Sequence, residues 1–133
     1  AAMVLGADGV QIGTRFAASV ESSAHPKFKE KIIASREGDT MLSLKTIGAV
    51  RLMKNRFFEQ VSEAESRGAS AEELKALLGK GRAKKGMFEG DMEEGELEIG
   101  QAAAMVHKIE SVAEIMQDLI SVFEMEKQRI CSL

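Results

Sequence analysis

The chain is poor in the residues that most often announce a function. It has no tryptophan or tyrosine and only six phenylalanines among 133 residues, so an aromatic platform for stacking bases is missing. Eighteen basic residues against twenty-one acidic ones leave a net charge of -3, which excludes the strong positive field of a phosphate-backbone binder. A single cysteine, Cys131, excludes a disulfide framework and points to a reducing compartment. Apolar runs are only a few residues long, too short to span a bilayer. Proline occurs once, as Pro26.

What is present is ordinary soluble composition: 44% hydrophobic and 29% charged, with enough length to bury roughly 70% of the unfolded surface. The first six residues, Ala1-Ala2-Met3-Val4-Leu5-Gly6, read as the last turn of a helix closed by glycine. They carry neither a basic n-region nor a cleavage site. That start predicts the C-terminal part of a longer protein. Val10 and Ile12, β-branched and flanked by glycines, predict a brief buried strand, and the pattern beyond Ser22 turns mainly helical. Pro26 suits a first helical turn, with Phe28, Ile32 and Ile33 on one face.

Residues 37–46 read as an extended link. Val50, Met53, Phe57, Val61 and Ala64 recur at helical spacing up to Gly68. Ser70-Ala71-Glu72-Glu73 and Ser111-Val112-Ala113-Glu114 are capping boxes, predicting helices that start at each. The first of these ends at Gly79. The second carries Val112, Ile115, Met116, Leu119 and Phe123 on its apolar face. Between them, residues 79–100 hold six glycines, a basic cluster (Lys80, Arg82, Lys84, Lys85) and an acidic run, followed by a short helix from Gly100-Gln101.

Few of these features amount to chemistry. Gly13-Thr14 after a strand suits a phosphate cradle, because glycine lets backbone N–H groups converge, but a plain turn needs the same residue. The basic cluster reads as a solvated loop paired with the acidic run rather than an anion grip. The acidic run lacks the order of a calcium loop. His25 and His107 have no partners at metal-ligand spacing and read as surface or capping residues. Cys131 lies too near a fraying end to act as a nucleophile, and the eight methionines read as core filler. A self-sufficient active site cannot be assembled.

The stretch Gly6-Ala7-Asp8-Gly9-Val10-Gln11-Ile12-Gly13-Thr14-Arg15-Phe16 nonetheless resembles the nitronate monooxygenase family, formerly called 2-nitropropane dioxygenase, which includes flavin-dependent enoyl-ACP reductases. The likeness continues through Glu21-Ser22-Ser23-Ala24-His25-Pro26, Lys29-Glu30-Lys31-Ile32, Arg51-Leu52-Met53-Lys54-Asn55, Gly90-Asp91-Met92-Glu93-Glu94-Gly95 and Gly100-Gln101. It implies an α/β fold: the C-terminal part of a TIM (β/α)8 barrel with a mostly helical inserted domain. Residues 1–26 would be the last βα unit with Val10–Ile12 as its strand, 27–90 the insertion, and 91–133 the return segment and closing helix. FMN is the implied cofactor, with Gln11, Ile12, Gly13 and Thr14 at its phosphate and Gly100 and Gln101 returning toward it.

The implied reaction is oxidation of alkyl nitronates with molecular oxygen. NAD(P)H-dependent reduction of a 2-enoyl-ACP is the rival within the family, and a non-enzymatic helical interaction module is the rival from another class. The substrate is then a small nitronate or an enoyl thioester, with NAD(P)H as a further partner and a homodimer compatible. Nucleic acid and membrane are not expected partners, and the location is cytoplasmic. The family's catalytic histidine belongs to a Gly-Gly-His type segment that neither His25 nor His107 matches, so no catalytic residue is assigned. The 133 residues alone are expected to bind FMN poorly and to show no turnover.

Overall fold

A strand forms only where another backbone lies alongside to take its hydrogen bonds, and this decides the first difference from the sequence reading. In the computed structural model, which describes residues 1–132, the N-terminal residues make turns in which the Leu5 N–H reaches the Ala1 and Ala2 carbonyls. Gly6 takes φ +94°, the left-handed conformation expected there. The strand expected at Val10–Ile12 does not form. No described segment pairs with it, and Val10 is two-thirds exposed. Only the single turn α1 (Thr14–Ala17) follows, then α2 (Pro26–Ile33), with Pro26 in its first turn and His25 as its cap.

The second difference is a β-hairpin whose first strand lies in the expected extended link, residues 37–46, and whose second strand takes the start of the stretch expected to be helical. β1 (Thr40–Ser43) pairs antiparallel with β2 (Val50–Met53), Thr40 facing Met53 and Ser43 facing Val50. Val50 and Met53 therefore belong to a strand, and the helix α3 (Arg56–Ser66) starts only after them. Asn55 marks the boundary. Its Oδ1 accepts from the Phe58 N–H at 2.9 Å, while its Nδ2 donates to the Met92 and Gly95 carbonyls. The three-residue spacing from Val50 to Met53 is that of a helical stripe; in the strand it puts the two on opposite faces, and the Asn55 cap fixes where the helix begins.

The two capping boxes start α4 (Ala71–Leu78) and α5 (Val112–Cys131) as the sequence implies, with both reciprocal bonds made in each. A π-turn at Lys84–Phe88 and a 3-10 helix at Gln101–Met105 complete the described elements. The chain enters its return run where Gly86 and Gly95 cross so closely that a Cβ on Gly95 would collide with the Gly86 backbone.

Two apolar clusters share the hairpin between them. Leu52 points into one with Phe57, Phe58, Val61 and Leu74, while Met53 points into the other with Phe28, Ile32, Leu97 and Ala103. Alternation of side chains along a strand makes this sharing automatic. Residues 97–99 then run antiparallel along β2: the Met53 N–H donates to Leu97 and the Ile99 N–H to Arg51, at 2.9 and 3.1 Å. The helix α5 contributes little to either cluster. Of its expected apolar face, only Ile115 is buried. The methionines are likewise mostly at or near the surface, and Met53 alone of the eight is buried.

Candidate functional site

Chain return along β2 delivers Gly100 to Thr14, eighty-six positions earlier in the sequence. A Cβ built on Gly100 would stand 2.9 Å from the Thr14 Oγ1, so a larger residue there would press on that hydroxyl. Thr14 opens α1, whose N-cap, Gly13, has no side chain to satisfy the first-turn N–H groups. A helical turn leaves those donors without internal partners. Beside them lies a cavity of about 630 Å³. Gln11, Ile12, Gly13 and Thr14 form one part of its lining, and Ala102, Met105 and Val106 another. Of the six residues singled out as cofactor contacts, the four at 11–14 line the cavity and Gly100 abuts Thr14. Gln101 starts the 3-10 helix and is exposed.

The remaining lining is charged. Arg15 donates to the Glu110 carboxylate through Nε and Nη2 at 3.2 and 2.9 Å, and through Nη1 to Asp118 at 2.7 Å. Lys108 meets the other Glu110 oxygen at 2.9 Å. Two cations and two carboxylates thus neutralise one another. Hydrogen bonding from Lys108, then from Arg15, holds the Glu110 carboxyl below its ordinary range. Asp118, then Glu110, raises the Arg15 guanidinium, and Glu110 raises the Lys108 ammonium. An anion in this cavity would therefore be held by backbone N–H groups and the Thr14 hydroxyl, since the cations are already engaged.

Sequence reasoning missed this quartet. Arg15 lies 95 and 103 positions from its two partners, a separation no local pattern reports. It also missed Glu21, whose carboxylate accepts from the Val112 N–H at 2.9 Å and so fastens the start of α5 to the turn after α1. The reading of His25 holds: Nδ1 accepts from the Lys27 N–H at 3.2 Å, a cap rather than a ligand. His107 is exposed on the cavity lining. The basic cluster pairs with the acidic run, Lys84 with Glu89, Lys85 with Asp91 and Arg82 with Glu94. Among the described residues no group of three or more His, Cys, Asp or Glu is placed to hold a metal ion. No described helix is long and apolar enough to cross a membrane.

A protein-family model described as nitronate monooxygenase matches residues 1–121. The chain belongs to that family. Probable nitronate monooxygenases from Staphylococcus aureus strains Newman and JH9 are each 42% identical to it over 66 residues, 49% of this chain and 19% of theirs. Among solved structures, FabK from Thermotoga maritima superposes with a TM-score of 0.88 at 32% identity, covering 98% of this chain and 42% of FabK. A methionine-to-alanine mutant of the same protein gives a TM-score of 0.81, with 39% of its chain covered. The chain thus spans less than half the length of each of these relatives. Their likeness supports a mixed α/β architecture for the family member, while the described residues form no barrel.

Proposed function

We propose that this family member works as the C-terminal portion of an FMN-dependent oxidoreductase, and that it oxidises alkyl nitronates with molecular oxygen. The observation that carries the flavin part is the approach of Gly100 to the Thr14 hydroxyl beside the cavity wall formed by residues 11–14, where Gly13 leaves backbone donors free. This donor set suits a phosphate monoester: N–H groups and a hydroxyl, with no Cβ on Gly13 or Gly100 to block approach. The residues fit FMN, and Gly13, Thr14 and Gln11 are the ones we assign to its phosphate side. When bound, the flavin supplies the electron transfer.

The chain's own residues have simpler tasks. Thr14 would donate its hydroxyl to a phosphate oxygen and Gly13 and Thr14 would offer N–H groups, while the Arg15–Glu110–Asp118 bridge keeps α1 fixed against α5. The apolar clefts between Val10, Ile12, Phe16 and α5 lie where the other β/α units of a barrel would pack, with Val10–Ile12 becoming a strand once it has a neighbour. In the same reading residues 1–26, 27–90 and 91–133 are the last βα unit, the insertion and the return with its closing helix, and Gln101 approaches the flavin from the return.

The test joins the 133 residues to the preceding β/α units of a family member and measures bound flavin, nitronate-dependent oxygen uptake, and crotonyl-thioester-dependent oxidation of NAD(P)H. Stoichiometric FMN with nitronate-dependent uptake is the expected result. Flavin with only thioester-dependent oxidation moves the activity to enoyl reduction, and a Thr14→Val, Gly100→Val protein that retains full flavin removes the phosphate assignment. Flavin bound stoichiometrically by the isolated chain would show that the other units are not needed.

A further inference from the structure

Lys29 is the buried cation that the candidate site does not use. It stands on α2 with 7% of its surface exposed, and its ammonium faces backbone rather than a carboxylate. The three N–H bonds of a lysine ammonium are its whole donor capacity. Here the carbonyls of Ser19, Val20 and Ser22 take them at 2.6, 3.2 and 2.8 Å. Burying a charge is costly unless its surroundings replace the lost water. Converging backbone carbonyls do that for potassium in selectivity filters, by standing in for the hydration shell.

The turn that supplies these carbonyls is a junction. Its Ser19 N–H donates to Phe16 in α1, and its Val20 N–H donates at 2.8 Å to the carbonyl of Glu110. Lys29 therefore ties α2 to the segment that joins α1 to the Arg15–Glu110 bridge. An apolar side chain of the same length would fill the space, so packing alone gives no reason for an ammonium.

We propose that the carbonyls of Ser19, Val20 and Ser22 form a monovalent-cation cage, with the Lys29 ammonium as its built-in occupant. In this role Lys29 is a positioning residue: the fixed charge holds the turn that orients α1 and its free N–H groups. Once the side chain is removed, the cage takes a free cation of ammonium or potassium size. The cage stands whether or not a flavin binds beside Thr14.

The experiment compares the full chain with Lys29→Ala in the chlorides of potassium, ammonium, lithium and tetramethylammonium at equal ionic strength. Wild type is expected to melt at one temperature in all four. Lys29→Ala is expected to melt about 5 °C lower in lithium or tetramethylammonium and to regain at least half of that loss in potassium or ammonium. Amide exchange at Val20 should quicken about tenfold in the variant and slow again with potassium, while exchange at Leu74, in the other cluster, stays as it was. Equal melting of the variant in all four salts overturns the cage, and so does a Lys29→Met chain as stable as wild type. If neither variant folds, the wild-type ammonium protons decide: slow exchange against surface lysines supports the cage, and equally fast exchange overturns it.

Discussion

The hairpin with α3 and α4 contrasts with the N-terminal turns and α5 in how each disposes of its apolar side chains. In the first region Leu52, Phe57, Val61 and Leu74 are 0–1% exposed, and the residues around them close a core from their own sequence. In the second, Met116, Ile120, Phe123 and Ile130 are 42–54% exposed on α5, opposite Met3, Val4 and Val10, which are at least half exposed. Isolated exposed apolar residues are unremarkable, but a face of them along a 20-residue helix marks a surface built to be covered. The first region closes on its own apolar side chains; the second leaves its apolar face open among the described residues. The proposed barrel units supply that covering, and the contrast can be attacked from either side.

The largest effect belongs to the closed core. Phe57 is fully buried and the Arg82 guanidinium lies 4.4 Å from its ring centroid. Phe57→Ala should remove about 3–5 kcal/mol of stability, a large part of what a domain of this size has. Urea denaturation of the full chain checks it. Next comes Gly95→Ala, which forces its new methyl into the Gly86 backbone; overpacking of this kind costs about 1–3 kcal/mol. The same denaturation curve reads it, and a Gly95→Ala chain as stable as wild type would contradict the crossing. On the open face, Ile120→Ser with Phe123→Ser should change stability by no more than about 0.5 kcal/mol each while reducing self-association seen by light scattering. A large loss of stability there would mean that α5 already has its partner within the chain.

The same contrast explains what was legible in the sequence. Caps at Ser70 and Ser111 and the Pro26 start are local devices that work within a few residues, and the charge pairing of residues 80–94 stays within that one loop. They were readable because their physics is short-range. The hairpin was hidden because residues 37–46 carry only weak alternation, and Val50 and Met53 stand at the three-residue spacing of a helical stripe; pairing with β1, with residues 97–99 alongside, decides for strand and puts the two side chains on opposite faces. Val10–Ile12 is the converse case: its β-branched pattern describes a strand whose partner the described residues do not supply. The methionines and the apolar face of α5 have the periodicity of a core, and periodicity does not say which surface covers it. At the candidate site, Gly13-Thr14 was visible as a motif, whereas the Arg15–Glu110–Asp118–Lys108 quartet depends wholly on tertiary approach.

The smallest effects are electrostatic, and they separate the two regions by pH. Glu96, beside Arg82 at the closed core, has its carboxyl raised above the ordinary 4.5 by burial and then by the neighbouring Glu98. A native state that binds the proton more tightly than the unfolded chain is favoured at low pH. This contribution is fully present below pH 4.5 and is lost as pH rises through the raised value. Glu110, at the junction with α5, behaves in the opposite sense. Its carboxyl is lowered from 4.5 by Lys108 and then Arg15, so its contribution is present above 4.5 and disappears as pH falls through the lower native value. Glu96→Gln should therefore flatten the melting profile just above pH 4.5, and Glu110→Gln should flatten it below, with each leaving the other's limb in place. Thermal melts of the two variants across that range check the assignment. If either substitution flattened both limbs, the closed core and the open face would titrate as one unit, and the division between them would not hold energetically.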